Sequence, residues 1–320
     1  MPRKLLTSFV KSGVNVVLDQ MKRNNIKQIM LCLMTRGRAT KAELVADTGL
    51  SMSTVSSCIN SLLKLTLLVT DGMEDSSGGR RSTIYSMKPD YGCFIGLDVY
   101  PDKIVAIAQD CQANILTQKV FLIPEGEKTI NILSEAVGQL FLHHENVLGI
   151  GIGLSGRINS QDQIVVSSPD VGWEFVHLRE IVERQFMTFT YVDHRINGTA
   201  VHQGMLNQLQ RNNYLYLSEG VDEKAALILD GRLCRGVDNT TGSLCRTADA
   251  AFPWLTMLRF LGVSDLVIGY ETEKFKEAFL NEAAEFNGEI HCVQQTENTH
   301  AVGIAIAAQR EWFESIYFML

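Results

Sequence analysis

Apolar positions along the chain change their period several times, and each change predicts an element. Between Lys22 and Met34 the residues Ile26, Ile29, Met30 and Leu33 recur at helical spacing, which predicts one buried helix face. The polar break Thr35-Arg36-Gly37-Arg38 ends it. Thr40 and Glu43 have the spacing of a capping box, so a second helix is predicted to run to about Asp47 and stop at Gly49, a residue free to turn left-handed. Ser51 caps a third helix whose stripe is Val55, Cys58, Ile59, Leu62 and Leu63. Leu67–Thr70 and Ile84–Met87 then read as short strands joined by the polar, glycine-containing tip Asp71–Arg81.

The third helix carries the first candidate chemistry. Ser53, Thr54, Ser56, Ser57 and Asn60 lie off its apolar stripe, small and neutral where a solvated face usually carries Lys and Glu. Such a face can approach the floor of a DNA major groove, although alone it fits a polar face without a partner equally well. The hairpin tip tips the balance: after Gly78-Gly79 come Arg80 and Arg81, able to pair with phosphate or enter a minor groove. The expected DNA contacts are Thr40, Lys41, Ser51, Ser53, Thr54, Ser56, Ser57, Asn60, Arg80 and Arg81. The expected partner is double-stranded DNA, a palindromic operator bound by a homodimer or higher homo-oligomer.

Charge sharpens this division. The net charge of −7 speaks weakly against nucleic acid until it is split. Residues 1–88 hold 13 Lys or Arg against 6 Asp or Glu, a net of +7, and the rest hold 16 against 30, a net of −14. Only the head has the sign that displaces counterions from phosphates. No apolar run has the length of a membrane-spanning helix, and the N-terminus starts like a signal peptide but breaks at Ser8 and Lys11, so a cytoplasmic location is expected. Seven scattered cysteines without a Cys-x-x-Cys pair read as reduced thiols.

Three features together resemble the ROK family (repressors, open reading frames and kinases), especially its repressors of the N-acetylglucosamine and xylose type. They are Ala42-Glu43-Leu44 through Gly49-Leu50-Ser51 with Thr54-Val55, the wing Gly78-Gly79-Arg80-Arg81, and the strand Phe94-Ile95-Gly96-Leu97-Asp98. The resemblance continues at Gly149–Gly156, Gly172-Trp173-Glu174, Tyr214–Leu217, Leu229–Gly236 and Asp265–Gly269. It implies an α/β protein: an N-terminal winged helix-turn-helix (1–88) before a two-lobed actin-like (ribonuclease H-like) sugar-kinase fold. Lobe I would cover 89–192 with a C-terminal helix, 299–320, returning to it, and lobe II 193–298.

The body departs from the family's kinases in four places. Their Asp-x-Gly-Gly-Thr turn reads Asp98-Val99-Tyr100-Pro101-Asp102 here, and their second phosphate loop reads Gly220-Val221-Asp222-Glu223-Lys224-Ala225-Ala226. Both lose the glycines whose N–H groups cradle phosphate and gain carboxylates. Arg195, which cannot accept a proton, stands at the position of the catalytic aspartate. Gly242-Ser243-Leu244-Cys245-Arg246 replaces the sugar-and-zinc motif, and no cysteine cluster follows. No catalytic residue, cofactor or metal is therefore expected, and the competing expectation is an ATP-dependent sugar kinase with an appended DNA-binding domain. A carbohydrate or anionic effector would meet Asp170, His194, Arg195, Ser243 and Arg246, unless the arginines pair with Asp170 or Asp193 and close the cleft. The apolar end Tyr317-Phe318-Met319-Leu320 is expected to be core or a dimer contact, and a docking site for a partner protein is the alternative.

Overall fold

The structure, a computed structural model, describes residues 21–22, 24–74, 81–209, 212–219, 225–236 and 258–315. By its internal contacts the chain divides into two units, one formed by the chain up to Tyr91 together with the stretch from Arg310 onward, the other by Gly92–Gln309.

In the first unit, residues 24–36 are helical (α1) and bury Ile26, Ile29, Met30 and Leu33, the stripe that the spacing predicts. β1 (Arg38–Thr40) leads into α2 (Lys41–Thr48), which starts at a complete Thr40–Glu43 capping box and ends at Gly49 with φ 69°. Arg36, at the end of α1, forms ion pairs with Glu43 and with Asp47 (2.9 Å), both on α2. Ser51 caps α3 (Met52–Lys64) by accepting from the Thr54 N–H at 3.2 Å. α3 buries Val55, Cys58, Ile59 and Leu62. β2 (Leu68–Glu74) and β3 (Ser82–Met87) pair antiparallel, and β1 adds on the far side of β3. The strands run further toward the tip than the sequence suggests, because a bulge between Thr70 and Met73 lets pairing resume after Gly72. Lys27 reaches Glu314 at 2.9 Å, so the last turn of the C-terminal helix belongs to this unit.

The second unit repeats one topology. Its first sheet is built from β4 (Cys93–Val99), β5 (Lys103–Asp110), β6 (Ile115–Leu122), β7 (Val147–Leu154) and β11 (Phe189–His194) in the order β11-β7-β4-β5-β6. The second contains β12 (Tyr214–Ser218), β13 (Ala225–Leu229), β14 (Arg232–Leu233), β15 (Asp265–Tyr270) and β16 (Glu289–Gln294) in the order β14-β13-β12-β15-β16. Each starts with an antiparallel meander and adds two parallel strands beside its first strand. Strand β4 lies between two neighbours and is buried along its whole length, which is why it reads as a near-continuous apolar run. A small sheet, β8 (Arg157–Ile158), β9 (Val165–Ser168) and β10 (Trp173–Val176), follows β7 and has no counterpart in the sequence reading.

Helices α4 (Thr129–His143) and α5 (Leu178–Phe186) pack on the first sheet through Leu133, Ala136, Val137, Leu140, Leu178 and Val182. The helices that end the two repeats exchange sheets. α6 (Arg195–Leu206) buries Ile196 and Ala200 against Tyr214, Tyr216 and Val267 of the second sheet, whereas α7 (Glu273–Glu282) precedes β16. α8 (Thr299–Ser315) lays Ala301 and Ala305 on Val105 and Ile107, and Ile304 and Ala308 on Tyr191, all of the first sheet. α6 and α8 meet at Gly198 and Gly303: a Cβ at 303 would lie 2.6 Å from the Thr199 Cα, so only glycine permits this crossing.

Candidate functional site

The α2–α3 pair and its hairpin place most of the expected DNA contacts on the surface. Ser51, Ser53, Ser57 and Asn60 are exposed, Thr54 and Ser56 half-buried, and the four hydrophobic residues that anchor α3 all face inward. Ser51 Oγ lies 2.9 Å from both Ser53 Oγ and Thr54 Oγ1, a small hydroxyl cluster at the start of α3 where backbone N–H groups also emerge. Lys41 is half-buried with its ammonium 5.7 Å from the Tyr85 ring centroid, a packing role the sequence reading did not anticipate. Arg81 is exposed at the start of β3, and Arg80 lies outside the described residues with Gly78 and Gly79.

Thr40 corrects one expectation. It is 3% exposed and its hydroxyl is shared between the Glu43 N–H and the Glu43 carboxylate, so its side chain holds the fold and is not offered to DNA.

The centre of the second unit explains what became of the kinase-like residues. Asp98, next to last in β4, is fully buried, and Arg195, first residue of α6 and 4% exposed on its side chain, brings its Nε to 3.2 Å from Asp98 Oδ1. The approach is an ion pair without an aligned hydrogen bond between the two groups. Arg195 also donates to the Val99 carbonyl and stacks its guanidinium 3.9 Å from the centroid of the Tyr100 ring. Burial, with Asp98 adding to it, pushes the Tyr100 phenol far above its ordinary range, so the ring stays neutral. The turn itself is closed: the Tyr100 N–H donates to the Lys103 carbonyl at 2.8 Å and Pro101 has no N–H to offer. No phosphate cradle exists in that turn.

Asp193, two residues before Arg195, is equally committed. It accepts from the Arg235 Nη1 and the Tyr191 hydroxyl, both at 2.6 Å, from Asn197 Nδ2 at 2.9 Å and from the His194 N–H at 2.7 Å. Burial alone would raise this carboxyl, but Arg235, Tyr191 and Asn197 outweigh it and hold it below the usual range. The expectation that Arg195 pairs with Asp170 or Asp193 is thus corrected: Arg195 takes Asp98, and Asp193 takes Arg235. The signal for the first pair was in the sequence. A guanidinium standing where a buried carboxylate is expected needs an acid partner, and Asp98 is the one residue kept from the Asp-x-Gly-Gly-Thr turn.

Of the five expected effector residues, three lie among the described residues, and two of those are buried. His194 is buried and caps α6 by accepting from the Ile196 N–H at 3.3 Å, and Arg195 is tied as described. Asp170 is exposed on the 3-10 turn Pro169–Val171, while Ser243 and Arg246 lie outside the described residues, as does the second phosphate loop up to Lys224.

Residues 94–245 match the ROK family. The xylose repressor of Caldicellulosiruptor bescii is 28% identical over 243 residues, covering 73% of this chain and 60% of the relative. The chain thus spans about three fifths of the length of that curated relative. Among solved structures, a ROK family transcriptional regulator described as a homologue of the E. coli MLC protein superposes with a TM-score of 0.72 at 12% identity, over 93% of this chain and 98% of its own. The ROK family glucokinase of Streptomyces griseus, in complex with glucose and AMPPNP, gives 0.58 at 14% identity over 68% of this chain and 100% of its own. The mixed α/β, actin-like fold of the body is shared with both.

Proposed function

We propose that the protein, whose residues 94–245 match the ROK family, is a DNA-binding transcriptional repressor of carbohydrate genes whose kinase-like body is not catalytic. The observation that carries this reading is the exposed hydroxyl and amide face of α3, Ser53, Ser57 and Asn60, presented after a capped turn and beside an arginine-bearing hairpin. A lysine- and glutamate-free helix face can enter a major groove without desolvating charge, and a homodimer would place two such helices in successive grooves of a two-fold operator. The relatives named as xylose repressors support the class of gene regulated. The protein would act in the cytoplasm, and among the described residues no helix is long and apolar enough to cross a membrane.

The body's role is sensing or dimerisation. Arg195 and His194 are buried and engaged, so an anionic effector finds no free cation in that pair; a neutral sugar, such as the one in the relatives' name, fits better. The same ion pair opposes the kinase reading that the glucokinase relatives keep open, because the base position holds a guanidinium.

Fluorescence anisotropy on operator-containing duplexes tests the reading. Arg81→Ala should weaken binding to all sequences alike and reduce the slope of log K against log salt by about 1. A parallel assay with ATP and a panel of hexoses should show no phosphorylation above the protein-free rate; turnover would install the kinase reading.

A further inference from the structure

We propose that Asp265, Glu289 and His291 form a binding site for a divalent transition-metal ion of the zinc type, at the edge where β15 and β16 begin. The parallel register sets Asp265 directly across from Glu289, with His291 two residues further on the same side of the strand. His291 Nε2 lies 3.1 Å from Asp265 Oδ1 and 3.8 Å from Glu289 Oε2, and one ligand atom from each residue falls within 4.8 Å of the others. An ion holding tetrahedral donors at about 2.0–2.1 Å separates them by roughly 3.3 Å; the His291–Asp265 pair already stands near that spacing, and the exposed Glu289 side chain closes on it by a rotamer adjustment.

Two further features favour a ligand over a plain histidine–aspartate hydrogen bond. The second Asp265 oxygen is held by Asn212 Nδ2 at 2.9 Å and Ser264 Oγ at 2.5 Å, which turns Oδ1 toward His291; fixed carboxylates of this kind are how outer residues orient metal ligands. The exposure is graded, with Asp265 3% exposed and the side chains of His291 and Glu289 22% and 81% exposed. The open side admits the ion and a completing water. One imidazole with two carboxylates suits zinc, cobalt or nickel better than magnesium or calcium. Among the described residues no other three such side chains converge. Cys292, although adjacent to His291, alternates to the opposite side of β16 and is not a ligand. The sequence expectation of no metal rested on the altered motif at 242–246; these three residues escaped it because only the strand register brings them together.

The site shares no residue with the proposed DNA face, and its test reads metal alone. The full chain, stripped with a chelator, is titrated with Zn²⁺ by calorimetry and with Co²⁺ by absorption. The expected result is one ion per chain, tetrahedral Co²⁺ bands without a thiolate charge-transfer band, and unchanged binding in Cys292→Ser. His291→Ala and the exposed Glu289→Gln should each weaken Zn²⁺ binding at least about tenfold, and Asn212→Ala by roughly 10–100-fold through the orientation of Asp265. Absence of binding, a thiolate band, or equal affinity in Glu289→Gln and wild type would overturn the assignment.

Discussion

A buried guanidinium without an acid beside it would cost several kcal/mol, so Arg195 at an aspartate's place obliges its surroundings to answer. Asp98 answers in the ion pair, and Tyr100 covers the guanidinium. Removing one partner strands the other: Arg195→Ala should lose about 3–5 kcal/mol in chemical unfolding, and adding Asp98→Asn should recover part of that loss. His300 lies in the same interior, 5% exposed, with Nδ1 2.7 Å from Thr199 Oγ1. Burial lowers its pKa; Asp98 opposes this, and Arg195 and His194 add to it. With a lowered folded value, the unfolded chain takes up the proton first as pH falls below about 6.5. The stability owed to neutral His300 is therefore present above that pH and lost below it, by at most about 1.4 kcal/mol per pH unit until the folded pKa is reached. Unfolding free energies measured between roughly pH 7 and pH 5 should decline less steeply in His300→Gln. At this scale the sequence announced that Arg195 is no base; its acid was signalled only by the Asp98 that the turn keeps, since partners 97 positions apart share no local pattern.

Elements were legible wherever one periodicity ran long enough. The stripes of α1 and α3, the capping box and the Gly49 exit all appear where their spacing puts them, because capping and amphipathic burial are local rules. The small β8–β10 sheet escaped notice because its strands are two to four residues long, too short for an alternation to register. Glycines in the body strands and helices carry a meaning visible only after folding. Gly303 of α8 faces the Thr199 backbone of α6, and Gly96 and Gly151 face the α8 backbone. In an exposed helix Gly→Ala gains roughly 0.8–1 kcal/mol; at Gly303 the added methyl has no room, and overpacking of this kind costs about 1–3 kcal/mol. Gly303→Ala should therefore lower the melting temperature, and a raised one would mean the helices do not cross as described.

Across the whole molecule, charge and chemistry divide along the same line. Residues 1–88 carry the net positive charge, while the acidic remainder carries a repeated sheet topology whose turn after β4 is closed and whose buried Asp193 is held by Arg235. The two-lobed body could be anticipated only through family likeness, because parallel pairings such as β12 with β15 join residues some fifty positions apart. Retention of genomic DNA fragments on the full chain, sequenced for wild type and for a Ser53→Ala/Asn60→Ala variant, tests the central claim most directly. Wild type should retain discrete, two-fold-symmetric sites near carbohydrate genes, and the variant should lose or alter that sequence preference. Retention of no fragment above non-specific background, or the same sites enriched by both proteins, would contradict that claim.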